Sequence, residues 1–399
     1  MRFPGFDGAW SAEHFDDVAT GFEYGLNAAA VDFDGVHKYI RITDIDDTSH
    51  KFIGSPVVSP AGDIDEKYRV RPNDILLART GASTGKSYLY DSSDGELYFA
   101  GFLIRASVRP EYDARFVFYS TCTPPYRRWV NMISMRSGQP GINADEYSRY
   151  NLNIPTHSEQ VQIGTFLALL DSKITAQRKL VELLKKHKRG VIDALFTPDA
   201  TWTTARFEDV FTILRNNALS RDSLDVGAGD IYNIHYGDVL IKFGELVDVM
   251  VDGVPVIKSS VILARPDFLR NGDVVFADTA EDYDVGKVVE ILDCCASKVV
   301  SGLHTIPCRP KCHFAPGFLG FYLNSHQFRK NLMSLVQGTK VSSISKSALK
   351  GLTVCFPDEC KQRRIAAILR ALTQRINGCE SVLAKLERMK KGLLLQLFV

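Results

Sequence analysis

The sequence predicts an α+β protein in which two tandem-repeated globular domains are separated by two long helices forming an antiparallel coiled coil. Residues 155–196 recur as residues 357–398 at a constant offset of 202, without a gap. Both copies carry an apolar side chain at alternating four- and three-residue spacing, the seam of a coiled coil, over about five heptads. The stretch before each copy breaks into short apolar runs between Gly, Pro and Asp, as strands and turns do. The expected boundaries are a domain over 1–157, a helix over 158–197, a second domain over 198–359 and a second helix over 360–399.

The helical repeat is more than shared periodicity. Pro155, Gln160, Lys188, Gly190 and Phe196 return as Pro357, Gln362, Lys390, Gly392 and Phe398, and two unrelated amphipathic helices have no reason to share these. The first seam is Ile163, Leu167, Leu170, Ile174, Val181, Leu184, Val191 and Leu195. The second is Ile365, Leu369, Leu372, Ile376, Leu383, Leu386, Leu393 and Leu397. Gln177, Lys188 and Lys390 interrupt the pattern, as polar residues that fix register do. A helix of about 38 residues runs roughly 57 Å. Paired antiparallel, two such helices put their domains at opposite ends of a rod. That spacing suits a DNA site split into two half-sites by an unread gap.

The globular parts repeat more loosely. Trp10, Phe15, Asp17 and Val18 match Trp202, Phe207, Asp209 and Val210, and the run Asn73 to Thr80 parallels Gly272 to Thr279. Tyr39 to Ile45 resembles Asn233 to Val239, and Arg109-Pro110 answers Arg309-Pro310. A helix is expected over about residues 114–133, with a counterpart near 316–336. Strict helices with loosely matched domains fit one job done twice by the helices and different targets for the domains.

Composition narrows the class. The chain has 399 residues, 45% hydrophobic, enough for two cores. No run approaches the ~20 apolar residues of a membrane span, and the N-terminus lacks a signal-peptide pattern, so a cytoplasmic location is expected. The eight cysteines then read as free thiols. The net charge of +1 counts mildly against a free-standing DNA-binding protein, although basic clusters occur at Arg127-Arg128, Lys185 to Arg189 and Lys361 to Arg364.

Several stretches imitate enzyme motifs. Gly81 to Ser87 resembles a phosphate-binding loop but has three residues between its glycines where that motif needs four. Thr123-Pro124-Pro125-Tyr126 is similar to the Asp/Asn-Pro-Pro-Tyr element of amino-methyltransferases, with Thr a poor acceptor for the target amine. Leu224 to Gly229 resembles their cofactor loop but leads into a strand-like run instead of a helix. Cys308, Cys312 and His313 lack the second regular pair of a zinc site, so no metal and no catalytic residue is assigned.

Over its whole length the chain resembles the specificity subunit of type I restriction–modification enzymes. The residues that carry the likeness are Arg2 to Phe6 before a Trp, Ile234 to Lys242, Asn73 to Leu76 with Gly81 to Lys86, and the two Pro-led helices ending in Leu-Phe. The resemblance implies two target-recognition domains, each reading half of a bipartite site in double-stranded DNA. It implies that the paired helices set the gap and dock two methyltransferase (modification) subunits, with restriction/translocase subunits as further partners. No cofactor is expected on this chain; the partners would use S-adenosylmethionine, ATP and Mg. The competing expectations are a coiled-coil protein–protein scaffold and an adenine-N6 methyltransferase with atypical motifs.

Base edges are read by Arg, Lys, Asn, Gln and Ser/Thr, and phosphates are held by cations and backbone amides. Two loops per domain, in equivalent positions of the repeat, meet that description. In the first domain they supply Arg79, Thr80, Ser83, Thr84 and Lys86, then Arg136, Ser137 and Gln139. In the second they supply Asp278, Tyr283 and Lys287, then Gln337, Thr339, Lys340 and Ser342, with Lys242 from the preceding loop. An ordinary turn with a solvated tip uses the same residue types.

Overall fold

A computed structural model describes residues 3, 5–135, 139–227, 229–281, 284–294, 297–338 and 341–398. Strands and helices are mixed throughout. The chain divides into two compact units, Met1–Lys179 with Glu380–Val399 and Leu180–Cys379. Each unit holds one globular domain and about half of each long helix.

In the first unit the central sheet runs Ala19–Tyr24, Leu103–Val108, Asp74–Ala78, Ser87–Leu89, with all neighbours antiparallel. Successive side chains of a strand point to opposite faces. Ile75 and Leu77 accordingly enter a core with Phe15, Ile104 and Phe116, while Leu76 and Ala78 enter another with Tyr88, Phe99 and Leu103. Both faces are covered, so this strand reads as a continuous apolar run rather than an alternating one.

The second unit repeats that order with Phe211–Ile213, Thr305–Pro310, Val274–Ala277 and Val288–Asp293, and adds Leu246–Asp248 as a parallel edge strand. Val274 and Phe276 face one core, Val275 and Ala277 the other. In both units a two-stranded ribbon ties the domain's start to the segment before a long helix. It joins Ser11–His14 to Asn151–Ile154, and Thr203–Arg206 to Thr353–Phe356.

The expected helix over 114–133 is two helices, Ala114–Ser120 and Pro124–Ile133. The first ends at Ser120, and Thr123 caps the second, its hydroxyl donating to Ser120 O and accepting from Tyr126 N. Two prolines occupy the first turn after it, where a missing N–H costs nothing. The counterpart is likewise broken into Phe318–Leu323 and His326–Met333, with Ser325 making the same pair of bonds. The Thr-Pro-Pro-Tyr stretch is thus a helix start, and its Thr is buried.

The long helices are His157–Leu195 and Glu359–Leu397, 39 residues each. In the first unit Leu170 and Ile174 meet Leu383, Leu386 and Leu393, so the helices run antiparallel there. The ends of the seams do something else. Ile163, Leu167, Leu397 and Phe398 enter the first domain's core, and Val191, Leu195, Ile365, Leu369 and Leu372 pack in the second domain's. Val181, Leu184 and Ile376 are buried as well.

The repeated polar residues are explained by the same docking. Gln160 accepts from Asp113 N and donates to Pro155 O, and Gln362 makes the matching bonds with Ala315 N and Pro357 O. Lys390 pairs with Asp171 on the other helix at 2.7 Å and lies over the Tyr119 ring. Lys188 lies over Phe321, but its ion pair is with Glu245 of the globular domain, because position 373 is Thr.

Candidate nucleic-acid interface

In each domain the two loops nominated by the sequence come together. In the first, Thr80 bridges to Gly141 and Gly81 N donates to Pro140 O. Exposed Gln139 lies so close that a Cβ on Gly81 would sit 3.1 Å from its Nε2. In the second, Thr279–Ala280 pairs with Ser342–Ser343, and Gln337 bridges back to Ser343. Arg136, Ser137, Tyr283, Thr339 and Lys340 lie outside the described residues.

The Gly81–Lys86 segment is a tight turn closed by its own bonds. Thr84 N and its hydroxyl both donate to Gly81 O, and Lys86 N donates to Ser83 O. Gly85 has φ +86°, and a Cβ there would strike Val130 at 2.6 Å, so glycine is required at this point. The turn packs against the helix Pro124–Ile133; it opens no helix, unlike a phosphate-binding loop. Ser83 and Thr84 are half-buried.

Lys86 and Lys287 turn out to be anchors within their own domains. Lys86 Nζ donates to Ile45 O at 2.9 Å and Ile42 O at 3.4 Å and pairs with Asp47 at 2.5 Å. Lys287 Nζ donates to Leu240 O at 2.8 Å and Phe243 O at 3.1 Å, and burial holds its pKa below the usual lysine value. In both domains the lysine after the turn clamps the loop of the preceding segment. Lys242 lies on the clamped loop, exposed, and donates to Gly253 O.

Arg79 and Asp278 occupy equivalent places, one residue beyond the central strand. The Arg79 guanidinium sits 4.7 Å from the Tyr24 ring, with Nη1 3.4 Å from Gly101 O. Asp278 accepts from the Thr279 hydroxyl at 2.7 Å and faces His304 Nδ1 at 3.4 Å. Sequence reasoning missed the neighbours of these two: Phe102, which is 61% exposed, His304, and the rings Tyr24 and Tyr236. Phe102 and His304 each immediately precede the strand that pairs with the central one, a signal the matched register alone would have revealed.

Among the described residues this surface offers Arg79, Gln139 and Gln337, Ser and Thr side chains and the rings of Tyr24, Phe102 and Tyr236. Leu224–Asp225, at the start of the stretch that resembles a cofactor loop, is a short strand on Val256–Ile257. Cys308 is buried in the core and Cys312 is exposed. No described helix is long and apolar enough to cross a membrane.

Residues 26–185 match the type I restriction modification DNA specificity domain. The specificity subunit of the type I restriction enzyme MjaVIII from Methanocaldococcus jannaschii is 27% identical over 133 residues. That match covers 32% of this chain and 29% of the relative, so less than a third of either. The S subunit of the type I restriction–modification system from M. genitalium shares the fold, with a TM-score of 0.62 at 14% identity over 100% of this chain and 99% of that one. A chain from a type I R-M system, solved in work on its complex assembly and conformational transition, gives 0.58 at 18% identity over 97% of each.

Proposed function

We propose that this chain, whose residues 26–185 match the type I restriction modification DNA specificity domain, is the DNA-recognition subunit of such a system. The match covers most of the first domain and continues into the first long helix. What extends the reading to the whole chain is the repetition of that domain's sheet order, loop pairing and lysine clamp in the second. Each domain reads one half of a split target, and the paired helices act as a coiled-coil spacer that fixes the gap.

The chain performs no chemistry in this reading. The two methyltransferase-like stretches support that, one being a helix start and the other beginning with the two-residue strand Leu224–Asp225. Two methyltransferase subunits dock on the helices and bring S-adenosylmethionine, and restriction subunits bring ATP and Mg.

The test is an adenine-methylation map of DNA from cells expressing this chain with its neighbouring methyltransferase gene. The expected result is a two-part motif with a fixed gap, lost when the chain is deleted. Removing one heptad from each helix should shorten the gap. A motif that survives deletion, or none at all, would leave the chain as a protein–protein scaffold.

A further inference from the structure

The geometry points to two equivalent pairs of side chains, Arg79 with Phe102 and Asp278 with His304, as positions that read bases in the two half-sites. The inference rests on the DNA-recognition reading above and assigns it to particular atoms.

The backbone at these positions is held identically in both domains. The central strand ends with Ala78 opposite Leu103 and with Ala277 opposite Thr305. One residue on, Arg79 N donates to Phe102 O at 3.0 Å, and Asp278 N donates to His304 O at 3.0 Å. The second loop grips the other side: Ile142 N donates to Arg79 O, and Ile344 N to Asp278 O, both at 2.9 Å. The scaffold is strictly repeated, yet the side chains it presents have nothing in common.

Packing does not demand Arg79, Phe102 or His304, and Asp278 keeps one carboxylate oxygen beyond its bond from Thr279. Arg79 has no ion pair among the described residues and rests on a ring, Tyr24, that is itself 44% exposed. Phe102 leaves most of its ring in solvent. His304 is half exposed beside Tyr236, at 5.3 Å between ring centroids. Lys86 and Lys287, by contrast, are the same residue doing the same internal job twice. Shared residues hold the loops, and the differing ones at the grip point discriminate.

The chemistry of each pair follows from its groups. A guanidinium fork matches the O6 and N7 acceptors of guanine, and a phenyl ring suits the thymine methyl. A carboxylate accepts from the N4 amino group of cytosine. Thr279 occupies Asp278 Oδ1, which leaves Oδ2 for that contact.

The experiment uses the chain assembled with its methyltransferase subunits and measures binding to the mapped duplex and to duplexes changed one base at a time. Arg79→Ala should lose about tenfold to a hundredfold discrimination at one guanine of a single half-site, with the other half unchanged. Arg79→Lys keeps the charge without the fork and should also relax that position. Asp278→Asn should act on one cytosine-bearing position of the opposite half-site. Equal weakening on cognate and unrelated DNA would make Arg79 a phosphate contact and overturn the assignment, as would unchanged discrimination with unchanged melting. A wild-type complex that prefers no bipartite duplex would instead take down the recognition reading itself.

Discussion

Gln160 Oε1 accepts a hydrogen bond from the buried backbone N–H of Asp113 at 3.0 Å, fastening the first long helix to the domain before it. Its Nε2 donates to Pro155 O at 2.9 Å, so one amide satisfies two backbone groups. Replacing it by alanine strands both, and a buried unpaired group costs about 1–3 kcal/mol. Gln160→Ala should therefore destabilise the first unit by about 2–4 kcal/mol in denaturant titration. Gln362→Ala should do the same to the second unit, and the two losses should add because the sites share no partner.

Phe398 belongs to the first domain's core although it stands at the far end of the chain. Its ring stacks on Phe116 at 5.0 Å and meets Trp10 edge-on at 6.2 Å. Phe196 does this for the second domain against Phe318 and Tyr322. Phe398→Ala should cost about 3–5 kcal/mol, the usual range for a buried Phe. Hydrogen exchange should show the loss in the helix Ala114–Ser120 and leave Phe318–Leu323 protected. Equal loss in both helices would contradict this packing.

How much of this the sequence revealed depends on what kind of information each feature carries. The duplication was legible because Gln160, Phe196 and their partners are fixed by buried contacts made twice. The seam was legible as two apolar stripes but not as to what covers them: Leu170 meets a helix, while Ile163 of the same stripe meets a domain core. Spacing encodes a face, not its partner. Lys86 and Lys287 carry the charge expected of phosphate contacts, and only tertiary structure shows their ammonium groups turned onto carbonyls. Phe102 and His304 were missed because strand register, not sequence neighbourhood, brings them to Arg79 and Asp278.

The ion pairs Asp171–Lys390 and Arg178–Glu387 join the helices in the first unit and should differ in strength. Asp171 and Lys390 are about 85% buried, and the Tyr119 hydroxyl donates to the same carboxylate at 2.8 Å. Arg178 and Glu387 are 31% and 41% exposed. A double-mutant cycle on Asp171 and Lys390 should return a coupling of about 1–3 kcal/mol, and that on Arg178 and Glu387 less than about 1 kcal/mol. Adding salt should shrink the second value and leave most of the first.

Glu290 should make the second unit's stability depend on pH. Its carboxylate accepts from Gly317 N at 2.7 Å and Gly320 N at 2.8 Å, at the start of the helix Phe318–Leu323. Burial nevertheless dominates those bonds and raises the pKa to about 7 from an ordinary 4.5. Between those values the folded chain holds a proton that the unfolded chain has released, so stability falls as pH rises. The contribution is complete below pH 4.5 and gone above about 7, a difference on the order of 3 kcal/mol. Denaturant unfolding at steps from pH 4.5 to 8 should show that decline in the wild type. Glu290→Gln cannot titrate, so whatever its absolute stability, its profile should lack this slope. An identical slope in the variant would assign the titration to another group.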